Sequence, residues 1–448
     1  MSIKVSNKVV LVTGAAGFIG SHVSDVLLQR GDRVIAVDEI NDYYDVRLKE
    51  ANLSYLTEKF GKESFQVYKG DICDMAFMKQ IFEKEKPTHI CHLAARAGVR
   101  PSIADPYIYV HSNIEGTTRL LDLARQYSCK NFVYASSSSV YGSSTNELLS
   151  EEDVVERPVS PYAATKKACE LLAYTFHHLY GLNCTGLRFF TVYGPRGRPD
   201  MAPFKFIDRV FNGLAIQQYG DGSTSRDYTY IDDIVDGVVR SIDRPLGYEV
   251  INLGNGRPFL LRDFIGLVER SVGKQALIEV LPEQPGDVER TCADISKARR
   301  LLGYNPQVSF ETGIQRTAEW YKVAQSQGLF ETEPTPERAS MVFNFIVAEA
   351  TAPHKHHHHH HATHTPQPED TSNEQSTCEE GETSSYGTAS SSTDDEDTAG
   401  APSPDDTLVE TLVTSTSDLE LSSYVEKAPT QLTFRSDRYV HTCPHSTY

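Results

Sequence analysis

The 448-residue sequence predicts an α/β fold: a doubly wound parallel sheet, a smaller C-terminal lobe and a disordered C-terminal tail. Three observations carry that expectation. Roughly the first 190 residues alternate short β-branched runs with amphipathic stretches. From Tyr193 to about Trp320 the spacing turns irregular and richer in Gly and Pro. After about Phe330 the composition passes to Thr, Ser, Glu, Asp and Pro, which buries too little apolar area to offset chain entropy.

Taken in order, the strand candidates are Lys8–Thr13, Arg33–Asp38, Phe65–Gly70, His89–Leu93, Asn131–Ser136 and Asn183–Phe189. They are apolar without alternation, as strands buried on both faces are. Helix-like segments such as Gly17–Arg30 and Asp74–Glu85 fall between them, and this βαβ rhythm implies parallel pairing. Residues 1–192 are therefore expected to form the first domain, with segments near 229–260 returning to it. Residues 193–325 form the smaller lobe, and 331–448 the tail.

The formal net charge of −18 belongs almost entirely to the tail. Residues 331–448 hold 21 acidic against 5 basic side chains, so the remaining body carries only −2. A near-neutral body offers no electrostatic footprint for nucleic acid. No apolar run approaches the roughly 20 residues a membrane span needs. The N-terminus leads straight into a strand-like segment without a signal-peptide profile. Eight scattered cysteines without a CxxC pair read as reduced thiols of a cytoplasmic protein. The run His356–His361 reads as a low-complexity or artificial tract, so no metal is expected.

Thr13-Gly14-Ala15-Ala16-Gly17-Phe18-Ile19-Gly20 follows a strand and opens a helix. Gly14 permits the tight turn, Gly17 lets backbone approach a pyrophosphate, and Gly20 lets the helix pack on the sheet. The helix start then offers free N–H groups to phosphate. Asp38, 18 residues past Gly20, ends the second strand. A carboxylate there binds ribose hydroxyls and repels a 2′-phosphate, which favours NAD over NADP. The competing reading of Asp38 is a turn or capping residue.

Tyr162 and Lys166 stand one helical turn apart on one face. The same spacing recurs at Tyr55 and Lys59, read as an ordinary exposed helix face. Tyr162 differs in following Pro161, a helix-start signal, downstream of the serine run Ser136–Ser139. Tyrosine with its ordinary pKa near 10 is a poor base, but a nearby ammonium and a cationic nicotinamide would both favour its phenolate. The alternative is a core tyrosine beside a solvated lysine.

In combination these features resemble the extended short-chain dehydrogenase/reductase family, and within it the nucleotide-sugar epimerases. The resemblance runs from about Asn7 to Trp320 through TGAAGFIG, GDI, HLAA, SSSSVYG, PYAATKKA, RFFTVYGPRGRPDM, RDYTYIDD and PGDVERTCADISKA. It implies a Rossmann-like fold with a substrate-binding lobe, NAD as a recycled cofactor and a UDP-sugar substrate. It further implies a homodimer formed through the segments after Pro106 and Pro161. The catalytic set would be Ser137, Tyr162 and Lys166, Ser137 lying three residues before Val140. Phe18 and Ile19 would join the glycine turn, Asp71 and Ile72 would contact adenine, and Leu93, Ala94 and Ala95 would line the cofactor path. Asn113 matches a supporting asparagine.

The segment from Thr191 to Met201 resembles the branch acting on UDP-glucuronate, where Arg198 would bind the sugar carboxylate with Thr191 beside it. A guanidinium fork suits that group. Arg226 and Asp287 would hold UDP, and Arg100 lies in a segment bordering the sugar pocket. In that segment Arg96 and Pro101 stand where Gln and Tyr are usual. Related dehydratases and decarboxylases carry an acid where this chain has Ser138 and Ser139. The implied reaction is thus reversible C4 epimerisation of UDP-glucuronate to UDP-galacturonate through a 4-keto sugar. The alternatives are a 4-epimerase for neutral UDP-glucose and a non-catalytic dinucleotide sensor or scaffold. A further alternative gives the acidic tail an interaction role independent of the enzyme, with unknown partners.

Overall fold

A computed structural model describes residues 6–284 and 288–332 and the backbone of the short strand Leu432–Thr433. Apart from residues 331–332 and that strand, the tail expectation lies outside the described residues, as do His356–His361.

The chain opens with β1 (Val9–Thr13), α1 (Phe18–Gln29), β2 (Arg33–Asp38), α2 (Val46–Phe60), β3 (Phe65–Lys69), α3 (Met75–Glu85) and β4 (His89–His92). Two short helices follow, α4 (Val99–Ala104) and α5 (Pro106–Tyr109), then a π-helical turn at Val110–Glu115 that runs into α6 (Gly116–Gln126). Next come β5 (Asn131–Ser137), a 3-10 turn at Ser138–Tyr141, α7 (Pro161–Tyr180) and β6 (Cys184–Phe189). The later elements are β7 (Thr191–Tyr193), α8 (Ala202–Phe211), β8 (Ala215–Tyr219), β9 (Ser225–Tyr230), α9 (Ile231–Asp243) and β10 (Tyr248–Leu253). After them run β11 (Pro258–Leu260), α10 (Leu261–Val272), β12 (Leu277–Leu281), α11 (Ser296–Leu302), α12 (Phe310–Ser326) and β13 (Leu432–Thr433).

Seven described strands form one sheet in the order β3-β2-β1-β4-β5-β6-β10, and every pairing in it is parallel. The order reverses between β1 and β4, which opens the crevice where doubly wound sheets bind ligands. Each expected strand forms, with ends within one residue of the sequence reading. β10 lies inside the 229–260 segment and takes the edge beside β6. The helix limits shift for a physical reason. Asp74 sits just outside α3, where its carboxylate accepts from Phe77 N at 3.1 Å. Gly17 is likewise the residue before α1.

The sheet is apolar on both faces because each is covered. Val10, Val12, Val34 and Ala36 point into one buried cluster, shared with Val23 and Leu27 of α1. Leu11, Ile35, Val37 and Ile90 point into the other, shared with Ile81 and Phe82 of α3 and Leu120 of α6. Beyond the main sheet, β7 pairs in parallel with β9, and β9 pairs antiparallel with β11. A further small sheet joins β8 to β12 in parallel, with β13 antiparallel on its edge. Among the described residues no helix is long and apolar enough to cross a membrane. The six described cysteines are all unpaired.

Candidate active site

The turn after β1 is shaped by what a side chain would strike. Gly14 has φ +68°, and a Cβ there would lie 2.8 Å from Ala94 N. At Gly20 a Cβ would fall 2.1 Å from Gly14 O, so the helix can close on the turn only with glycine. Gly17 has no capping side chain, and the first turn of α1 holds no acid. The start of that helix is therefore left for an external anion to complete. Asp38 at the end of β2 accepts from Ala16 N at 3.0 Å and from Ile40 N at 2.9 Å. Burial pushes its carboxyl upward, and those two amides oppose the shift. Asp38 therefore braces the glycine turn, and it also lines the adjoining cavity.

That cavity measures about 850 Å³. Gly14, Gly17, Phe18, Ile19, Gly20 and Asp38 line one end, with Asp71, Ile72, Leu93, Ala94 and Ala95 along a side. A glycine cradle, an uncapped helix start and a carboxylate at the second strand end fit a dinucleotide such as NAD. Asp71 Oδ1 accepts from Cys73 N at 2.8 Å, and its Oδ2 lies 3.2 Å from His111 Nε2. Burial works against its charge, but the Cys73 amide and the His111 imidazole hold the carboxyl below the usual range.

Ser137, Tyr162 and Lys166 line the same cavity. Ser137 ends β5, and its Oγ accepts from Ser139 N at 3.1 Å. Tyr162 lies in the first turn of α7, where Ser160 caps by accepting from Ala163 N at 3.1 Å. Its own amide donates to Ser102 Oγ at 3.1 Å, which ties the helix start to α4. Lys166 is 4% exposed, and its Nζ donates to Ala135 O at 3.0 Å. The ammonium stands 5.9 Å from the Tyr162 ring centroid. Behind it, His92 bridges the hydroxyls of Thr13 at 2.7 Å and Thr117 at 2.9 Å.

Thr191, Arg198, Arg226 and Arg100 border the remaining wall. Arg198 is paired with Asp200: Nε donates to Oδ1 at 3.0 Å and Nη2 to Oδ2. Burial opposes the guanidinium charge, and Asp200 outweighs it. Arg226 Nη1 donates to Ser225 O at 2.8 Å, and the Arg100 guanidinium lies 4.9 Å from the Tyr219 ring. Asn113 does not line the cavity. It is buried in the π-helical turn, where Oδ1 accepts from Arg96 N at 2.8 Å and Nδ2 donates to Arg96 O at 3.0 Å and Thr165 Oγ1 at 3.0 Å. Asp287 lies outside the described residues.

One supporting group escaped the sequence reading. Glu170 accepts from Arg188 Nε at 2.8 Å and Nη2 at 2.9 Å, and from Ser136 Oγ at 2.9 Å. Both partners are nearly inaccessible, with side chains 1% and 3% exposed. Burial would raise the Glu170 carboxyl, but the Arg188 fork holds it below its ordinary value. Arg188 Nη1 also donates to Tyr141 OH at 3.0 Å, and Tyr141 donates to Asn252 Oδ1 at 2.7 Å. This network locks α7 to β5, β6 and β10 beneath Lys166. A sequence signal existed, because Glu170 continues the four-residue spacing of Tyr162 and Lys166.

Residues 11–317 match the family described as GDP-mannose 4,6 dehydratase. A UDP-glucuronate 4-epimerase of Thermodesulfobacterium geofontis is 48% identical over 314 residues, covering 70% of this chain and 95% of the relative. UDP-glucuronate 4-epimerase 3 of Arabidopsis thaliana is 45% identical over 330 residues, covering 70% and 76%. Among solved structures, the UDP-glucuronic acid 4-epimerase of Bacillus cereus with UDP-glucuronic acid and NAD superposes with a TM-score of 0.66 at 36% identity, covering 70% and 99%. A Thermotoga maritima UDP-glucose 4-epimerase with UDP-glucose gives a TM-score of 0.65 at 32% identity, covering 71% and 99%. The chain belongs to the GDP-mannose 4,6-dehydratase family, within the extended short-chain dehydrogenases/reductases.

Proposed function

We propose that this protein interconverts UDP-glucuronate and UDP-galacturonate by NAD-dependent epimerisation at C4. The observation that carries the reading is one cavity bordered by the glycine turn, by Ser137, Tyr162 and Lys166, and by Arg198 with Thr191. The residues at 138 and 139 are serines, so the serine run supplies no acid for dehydration or decarboxylation.

When bound, NAD supplies a reversible acceptor for the C4 hydrogen. Tyr162 takes the 4-OH proton and later returns it, and Ser137 steadies the C4 oxygen as it becomes a carbonyl. Lys166, held by Ala135 O, keeps positive charge beside the tyrosine ring throughout. The 4-keto sugar turns in the pocket and is reduced on its opposite face. UDP binds far from the reacting carbon, so the sugar ring can be held loosely without losing affinity. Arg198 and Thr191 face the C6 substituent, Arg100 borders the sugar pocket, and Arg226 and Asp287 serve the nucleotide side.

Residues 1–192, with the 229–260 segment, carry the dinucleotide, and 193–325 carry the sugar nucleotide. The enzyme works in the cytoplasm as a homodimer. Supporting the dimer, Ile103, Tyr107 and Val110 are 65%, 83% and 50% exposed, and Leu171, Tyr174 and Leu179 on α7 are 58%, 52% and 60% exposed. The reading is tested by incubating purified protein with UDP-glucuronate and no added NAD, then identifying the sugar. UDP-galacturonate is expected; a pentose product or unchanged substrate contradicts it. The pairing of Arg198 with Asp200 favours a second reading, a 4-epimerase for neutral UDP-glucose, and faster turnover of UDP-glucose than of UDP-glucuronate would select it.

A further inference from the structure

Two guanidinium groups flank the ring of Tyr43 on the cavity wall, Arg96 at 5.6 Å and Arg198 at 5.5 Å from its centroid. Their charge environments differ. Arg198 is closed onto Asp200 as a fork on a carboxylate. Among the described residues no carboxylate stands within ion-pair distance of Arg96, whose side chain has only the face of Tyr43 for a partner. Its backbone, by contrast, is fixed on both sides by the buried Asn113 side chain. A pinned arginine with unmatched charge in a cavity is preorganised for an oxyanion, which a guanidinium binds through two parallel N–H donors.

Three oxyanions are available in the proposed reaction: the C6 carboxylate of the sugar, the diphosphate of its UDP and the diphosphate of the dinucleotide. The dinucleotide diphosphate already has the glycine turn and the open start of α1, and the UDP is assigned above to Arg226. Residue 96 lies toward the reacting end: Tyr109 OH donates to Ala97 O at 2.7 Å, and its ring meets the Tyr162 ring edge-on at 6.2 Å. We propose that Arg96 is a second carboxylate-recognition residue of the sugar pocket, sharing the C6 carboxylate with Arg198 and setting the preference for an acidic over a neutral sugar. This rests on the epimerase reading above.

The test is Arg96→Met, which keeps length and removes the charge, with Arg96→Lys as the conservative companion. In Arg96→Met the KM for UDP-glucuronate is expected to rise about tenfold with kcat within about twofold. Turnover of UDP-glucose, affinity for UDP and NAD content are expected to stay at wild-type levels, and Arg96→Lys to recover part of the loss. An unchanged KM for UDP-glucuronate overturns the proposal, as does an equal rise for both sugars. Loss of bound NAD with unaltered sugar discrimination also overturns it and assigns Arg96 to the dinucleotide diphosphate. Failure of the wild type to epimerise UDP-glucuronate sinks the functional reading itself, and that result is visible before any variant is made.

Discussion

Tyr162–Lys166 and Tyr55–Lys59 have the same spacing on a helix and opposite surroundings. On α2 the pair is solvated: Tyr55 is 45% exposed, and Lys59 Nζ donates to Tyr55 OH at 3.0 Å and to Asp25 at 3.1 Å. On α7 the lysine is buried and tied to a strand carbonyl, while the tyrosine looks into a cavity cradled by glycines. The spacing only brings two side chains to one face. What makes one pair chemically useful is the fixed, partly dry setting in which an ammonium acts on a phenol more strongly than it does in water.

The sharpest way to break the comparison is to remove the hydroxyl from each tyrosine. Tyr162→Phe is expected to lower kcat about 10³-fold, the scale of general-base catalysis, with folding intact by circular dichroism. If both variants keep full activity, the two pairs are equivalent and the site is misplaced. The next largest effect concerns the support beneath α7. Arg188→Met leaves the buried Glu170 with only Lys167, at 3.4 Å, for a counter-charge, and a loss of about 3 kcal/mol in urea unfolding is expected. A loss under about 1 kcal/mol would mean that the network is solvated and that the helix needs no such lock.

Acidification separates the regions by a smaller amount. Burial, with Lys166 adding to it, holds His92 neutral and lowers its pKa from 6.5 to about 3. The unfolded chain therefore binds a proton at this histidine between those values while the folded chain does not. The stability that His92 contributes is complete above pH 6.5 and falls as pH drops toward 3. Between pH 6.5 and 5 the loss is about 2 kcal/mol from this group alone. Urea midpoints at the two pH values check it, and a flat profile contradicts a neutral buried imidazole. The smallest effect belongs to the outer pair. Tyr55→Phe and Lys59→Met are expected to change stability by no more than about 0.5 kcal/mol each and to leave turnover unaltered.

How much of this was legible in the sequence follows from the range of the interactions. β1 and β2 were readable because a strand covered on both faces carries an apolar run without alternation, and Val9–Val12 and Val34–Val37 meet that condition locally. The glycine turn was readable because the close approach of Gly20 to Gly14 O spans only six residues. The Glu170–Arg188 pair was not, since it forms only when α7 packs across β5 and β6. Asn113 was found by resemblance as a supporting asparagine, but its contacts were not legible: its side chain reaches the backbone of residue 96 and the hydroxyl of Thr165, contacts that depend on the π-helical turn. The Arg198–Asp200 pair lies two residues apart, but that spacing in a loop does not by itself bring two side chains together; the loop conformation does.

The central claim is that the C4 hydrogen leaves and returns inside one cavity while Tyr162 handles the proton. The most direct measurement supplies UDP-glucuronate deuterated at C4 to the purified protein in ordinary water and examines the product by mass spectrometry and NMR. UDP-galacturonate with the deuterium still at C4 is the expected result. Loss of the label to water, with hydrogen at C4 of the product, contradicts the account.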